Sequence, residues 1–270
     1  MSTIYKKAPL IELIAELRWI PAGITPQQAG TVQVLFTNDA KVEEFFMRLG
    51  GELYQSGFQR SERLVPPGFP IVFGQPAIRY RSDDAVKKSV LYQAGSSIFS
   101  VHAVPPYRSW DNFLPEVKKG VEALLKTRGD GQEQSPFTQL TLRYLDFFGE
   151  ELLGGRSMDK FIADVMGFSV NPPSALTKVA APQELRSVFL KFVVPVEAGT
   201  LSVSVGDGKA NNQQSGVVLD TIFTSTAPIE PKFDNIIAMF NTAHDVIKKT
   251  FLTFTAPIEH LMEPEKAENQ

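Results

Sequence analysis

Between Leu10 and Ile20 the apolar residues Ile11, Leu13, Ala15, Leu17 and Trp19 alternate with Glu12, Glu16 and Arg18, a period of two that predicts a half-buried strand. Pro21 and Gly23 end it. Beyond Pro26, Val42, Phe45, Phe46 and Leu49 fall at helical spacing, and Gly50-Gly51 is expected to stop that helix. Pro66, Pro67, Gly68, Pro70 and Pro76 make Leu64 to Gln75 an irregular crossing or an edge segment, because proline cannot donate to a central sheet ladder. Three short strands are predicted at 77–82, 89–93 and 97–103, parted by Asp83-Asp84 and Ala94-Gly95-Ser96 turns. A helix capped by Asp111 follows, with its stripe at Phe113, Leu114, Val117, Val121, Leu124 and Leu125.

After the polar segment 126–135 the order starts again: a strand at 137–148, a short helix at 158–166 and a break at Asn171-Pro172-Pro173. Strands then return at 187–194, 200–205 and 216–224, the last two joined by a long polar loop, 206–215. A long helix begins near Phe233 and buries Ile236, Ile237, Phe240, Ala243, Ile247 and Phe251; a short amphipathic piece, 256–262, and a charged tail, 263–270, expected to be disordered, complete the chain. Leu17-Arg18-Trp19-Ile20 is matched by Leu142-Arg143-Tyr144-Leu145, and Trp110-Asp111-Asn112-Phe113 by Phe233-Asp234-Asn235-Ile236. Both markers keep nearly one spacing, so the expected fold is α+β: an internal duplication of two similar halves, 1–130 and 131–262. Each runs strand, helix, antiparallel strands, helix, and the two form one compact body.

Composition narrows the chemistry. The 270 residues include no cysteine, which excludes disulfides, thiolate nucleophiles and Cys-ligated metals and fits a reducing compartment. A net charge of −3 argues against a broad nucleic-acid-binding field, and 20 phenylalanines demand extensive burial. Glu12, Glu16 and Arg18 interrupt the apolar N-terminal stretch, and no long uncharged apolar run occurs, so neither an export signal nor a membrane span is expected and the cytoplasm is the expected location.

Arg18 and Arg143 occupy matching places in the two repeats and are the candidate ligand-binding pair, for an anion or an acidic partner held between the halves. The competing expectation pairs each with a nearby carboxylate such as Glu16 or Asp146. The stretch between Arg60 and Lys88 carries six cations against Glu62, Asp83 and Asp84, a mild basic region with Phe69, Phe73 and Tyr80 close by. The loop at Gly206-Asp207-Gly208 lacks phosphate-loop spacing. His102, His244 and His260 have no metal spacing, and Ser100 with His102 shares a strand face without an evident third member, so no catalytic set, metal or cofactor is expected.

Lys7-Ala8-Pro9-Leu10-Ile11-Glu12 with Glu16-Leu17-Arg18-Trp19 behind it resembles the opening of a sporadically distributed bacterial family of proteins of unknown function. Tyr107-x-x-Trp110, Leu142-Arg143-Tyr144, Leu219-Asp220 and Ala243-His244 occur in the order that the resemblance implies; Asp146 departs from it, standing where an asparagine is more usual. The resemblance implies a prokaryotic protein of scattered distribution, a pattern associated with mobile-element or defence neighbourhoods, and supplies no catalytic residues. The leading expectation is a non-enzymatic binding or adaptor protein that meets a protein partner, or its own copy, through its sheet surface. The alternatives are a small-molecule or nucleotide-binding protein, with hydrolysis not excluded, and nucleic-acid binding through the stretch from Arg60 to Lys88.

Overall fold

The computed structural model describes residues 4–20, 36–37, 40–66, 68–85, 87–106, 109–129, 134–169, 174–179, 188–210 and 214–265. The strands are β1 Leu10–Arg18, β2 Phe36–Thr37, β3 Arg60–Arg63, β4 Ile71–Val72, β5 Ile78–Arg81, β6 Val90–Ala94, β7 Ile98–Ala103, β8 Gln139–Phe148, β9 Phe189–Val196, β10 Gly199–Lys209 and β11 Ser215–Ser225. The helices are α1 Ala40–Gln55, α2 Trp110–Thr127, the short α3 Glu150–Leu153, α4 Met158–Lys160 with a π-turn Phe161–Val165, α5 Ser174–Val179, α6 Phe233–Thr255 and α7 Glu259–Met262.

Nine strands form one antiparallel sheet ordered β3-β5-β6-β7-β1-β8-β11-β10-β9, and β2 pairs separately with β4. Its centre is the β1–β8 pair, in which Leu17 faces Leu140, Glu16 faces Thr141 and Ala15 faces Leu142. Outwards from that pair the order is β1-β7-β6-β5 on one side and β8-β11-β10-β9 on the other. The alternation that predicted β1 sends Leu13, Ala15 and Leu17 to a buried face and leaves Glu12, Ile14, Glu16 and Arg18 half-buried on the opposite one. All three long helices lie on the buried face. Gly50 of α1 meets the Tyr80 ring, Gly120 of α2 meets Tyr92 and Phe99, and His244 of α6 meets Tyr144. One continuous core joins residues of both halves, with Phe45, Phe99, Phe113, Phe148, Phe223 and Phe240 among its buried rings, and the molecule is an α+β body.

Several boundaries differ from expectation for identifiable reasons. The first helix does not stop at Gly50-Gly51; it runs to Gln55 because Leu53, one turn after Leu49, is fully buried, and because a Cβ at residue 50 would lie 3.1 Å from the Tyr80 ring. That glycine permits a close approach and terminates nothing. The cap of α2 is Ser109, whose hydroxyl accepts from the Asn112 N–H, and Asp111 lies inside the first turn. β10 and β11 stay paired to the Lys209–Ser215 rung, so the expected loop 206–215 shrinks to its tip, with 211–213 outside the described residues. Gly208 and Gly216 belong to the ladder, where Val218 and the Phe148 carbonyl leave no room for a Cβ. The charged strand β3 was not anticipated.

Within the expected tail, residues 263–265 pair with the start of the chain: the Lys6 N–H donates to the Glu263 carbonyl, the Glu265 N–H to the Ile4 carbonyl, and the Lys7 ammonium contacts Glu263 at 2.7 Å. Residues 266–270, the Asn171-Pro172-Pro173 break, Tyr107 and most of the 126–135 boundary's glycine-rich middle lie outside the described residues.

Candidate functional site

On the half-buried sheet face, both predicted arginines are paired within the protein. Arg18 donates through Nε to Glu16 (2.6 Å) and through a terminal nitrogen to the Gly74 carbonyl (3.1 Å). Arg143 grips Asp220 of β11 bidentately, at 2.7 and 2.9 Å; Asp146, one of its expected partners, points to the other side of the sheet. Because Arg18 faces Gln139, Arg143 stands four residues further along β8, about 13 Å away at the rise of an extended strand. The two guanidiniums are thus separate local ion pairs, and neither lines the cavity described below.

The same face supplies the third member that the Ser100–His102 pair lacked in the sequence. Ser100 Oγ lies 2.9 Å from His102 Nε2, and His102 Nδ1 lies 2.9 Å from Glu12 Oε1, across the β1–β7 ladder. The hydrogen bond from His102 holds the Glu12 carboxyl below its usual range. The order of groups is that of a nucleophile, base and acid, yet the serine is only 1% exposed. Its own strand and both neighbours also engage the nearby amides in ladder bonds, so no pair of donors is left for an oxyanion. The trio therefore links two strands of the sheet.

The arginines of the basic stretch are similarly paired. Arg60 pairs with Asp83 at 3.0 Å, Arg63 with Glu43, and Arg79 and Arg81 both approach Glu62, while the Lys87 ammonium donates to the Ser56 carbonyl at 2.8 Å. The four arginines are thus engaged by carboxylates, which weakens the positive field there for a phosphate backbone, while Lys87 keeps its charge against a neutral carbonyl. Among the described residues no cluster of three or more metal-ligating side chains occurs, and no described helix is long and apolar enough to cross a membrane.

Two features of the opposite face and edge were not foreseen. On the helix-covered side, a cavity of about 110 Å³ lies where the approach to β1, the start of α2, β8 and α6 meet, so both halves line it. Asp146 projects into it from β8. Its carboxyl is 3% exposed, its Oδ2 has no hydrogen-bond partner, and burial, reinforced by the charge of Asp220, pushes its pKa up to about 8. Across the cavity Tyr144 Oη lies 2.7 Å from His244 Nδ1, and the His244 ring stacks on Trp110 at 4.8 Å with an interplanar angle of 7°. Trp110 Nε1 donates in turn to Asn241 Oδ1 at 3.0 Å. Burial lowers the His244 pKa to about 4, so the imidazole is neutral at physiological pH.

The second feature is the free edge of the sheet. β9 reads Phe-Leu-Lys-Phe-Val-Val-Pro-Val, and Phe189 and Val193 are 73% and 60% exposed, with Phe192 and Val194 also exposed. The Asp207 N–H donates to the Val188 carbonyl and Phe189 faces Gly206, so alternation turns the amides of Leu190, Phe192 and Val194 towards β10. Those of Phe189, Lys191 and Val193 point outwards, and Pro195 occupies the next outward position, where a missing N–H costs the sheet nothing. The other edge, β3, is four residues long and reads Arg-Ser-Glu-Arg, which discourages pairing. No family model and no curated protein matches the chain.

Proposed function

We propose that the protein is a non-catalytic adaptor that takes up an extended segment of a protein partner along the β9 edge, adding a tenth strand to the sheet. The carrying observation is the asymmetry of the two edges: one is short and charged, the other is eight residues long, apolar on both faces and edged with outward amides. The partner segment would place apolar side chains beside Phe189 and Val193 and an acidic residue opposite Lys191, the single charge on the strand. A second copy of this chain is the poorer occupant. The register that pairs β9 with its own image sets Lys191 beside Val193 and two residues from the other Lys191, and it forfeits the Pro195 hydrogen bond twice. On the sheet face opposite the helices, Phe147 of β8 and Val218 and Ile222 of β11 are half-buried.

A photo-reactive side chain at position 193, combined with hydrogen exchange, tests this. Strand addition predicts a cross-link to a heterologous chain together with slowed exchange confined to the amides of residues 189, 191 and 193, since 190, 192 and 194 are already bonded to β10. A homodimer as the sole adduct replaces the partner by self-association; an adduct without alternate protection, or no adduct, refutes the proposal.

A further inference from the structure

The cavity of Asp146 is separate from the β9 edge and independent of it. A carboxyl buried among apolar side chains is expensive unless something donates to it, and in native proteins such a group is satisfied by protein, water or ligand. Here the Asp146 side chain lines the cavity and its Oδ2 atom, shielded from solvent, has no hydrogen-bond partner, while Trp110, Ile247, Phe251 and Leu252 supply apolar walls. At about 110 Å³ the space is somewhat smaller than an engineered cavity of about 150 Å³ that admits benzene. It therefore takes a small organic group with one polar end. His244 is fixed in orientation on one side by the Trp110 ring and on the other by Tyr144 Oη, so the polar wall is built in advance of any ligand.

We propose that this cavity binds a small organic cation, a primary ammonium or an amidinium with a short apolar body, whose N–H groups donate to Asp146. A cation supplies the missing donor and also a countercharge, which a neutral alcohol cannot. An anion would face the carboxyl of Asp146 and the charge of Asp220 behind the sheet, with no arginine lining the cavity to offset them. Half-buried Lys248 also lines the cavity, one turn of α6 beyond His244, and makes the site weaker for a cation than the carboxyl alone would make it. The other charged or titratable groups around Asp146 are Tyr144 on β8, Tyr5 ahead of β1, His244 on α6, Asp111 of α2 and Asp245 of α6 beside His244, and Asp220 on β11. Tyr5, raised to about 12 by burial and Glu259, and His244, lowered to about 4, both titrate outside the interval from pH 6 to 9.

Three isosteric probes distinguish the ligand classes: n-butylammonium, n-butanol and butyrate, titrated while the indole N–H resonance of Trp110 is followed. We expect a saturable shift with butylammonium and an affinity at least tenfold lower for the other two. Because the cation must displace the Asp146 proton, its affinity should rise about tenfold per pH unit from pH 6 to 8 and level off above. Asp146→Asn should abolish that binding at every pH. Lys248→Gln, outside the core, should tighten butylammonium and weaken butyrate. Equal or tighter binding of butanol or butyrate, a pH-independent affinity, unchanged binding in Asp146→Asn, or no saturable shift with any probe overturns the proposal.

Discussion

A carboxyl that ionises near pH 4 in the unfolded chain and near pH 8 in the folded one makes the fold lose stability as pH rises between the two values. Within that interval native Asp146 keeps a proton that the unfolded chain has already released. Each pH unit therefore costs the native state about 1.4 kcal/mol, or about 4 kcal/mol at pH 7 and 5 to 6 kcal/mol above pH 8. Asp146→Asn keeps the shape of the side chain and removes the ionisation. Its advantage over the unsubstituted protein should be close to zero below pH 4, grow to about 4 kcal/mol at pH 7 and stay constant above pH 8. Every other titrating group is common to both proteins and cancels in the difference. Urea unfolding at one-unit pH steps measures it; with a slope of about 3 kcal/mol per molar for a chain of this size, the midpoints at pH 7 should differ by more than 1 M. A difference that does not change between pH 5 and 8, or an asparagine variant that is the less stable at pH 8, would refute the account of Asp146 as a buried acid.

Two further outcomes separate the roles of other residues. Glu12→Gln should destabilise the protein by about 1 kcal/mol at pH 7, because the depressed acidity of Glu12 contributes stability above its unfolded pKa; that loss should fade as the pH drops through the folded value, read by the same unfolding series. Gly216→Ala drives a methyl into the Phe148 carbonyl and should cost about 3 kcal/mol or more, whereas Gly51→Ala, on a helix surface with no atom within 4 Å, should gain roughly 0.5 to 1 kcal/mol; thermal melts of the pair check both signs.

Much of the fold was legible because periodicity reports burial directly. The alternation in β1 holds from Leu13 to Leu17, whereas Ile11, expected on the buried face, is exposed at a register shift between Leu10 and Glu12; the stripes of α2 and α6 face the core. Glycine misled twice for one physical reason: at Gly50 and Gly208 the missing Cβ serves close packing, which a single sequence does not distinguish from a stop or a turn. The pairing of His102 with Glu12 depends on the register between strands 90 residues apart in sequence, and no local pattern encodes that register. Asp146 is different. Leu140, Leu142, Tyr144, Asp146 and Phe148 occur at every second position, so the alternation already assigned a carboxylate to the face buried under the helices. That conflict between charge and period was the readable signal of the cavity. The arginine pair had the matching position but no means, in one dimension, of revealing that Asp220 would reach Arg143 first.

The place of β1 at the centre of the sheet also sets the order in which the molecule can assemble. β1 precedes both of its partners, β7 and β8, along the chain, and Leu17 meets Leu140 only once the whole intervening stretch has been made. Until then one edge of β1 has no native neighbour, while the hairpins β5-β6 and β6-β7 can close locally. Such long-range pairing predicts slow completion of the sheet and a nascent intermediate open to chaperones along the seam that β8 later seals.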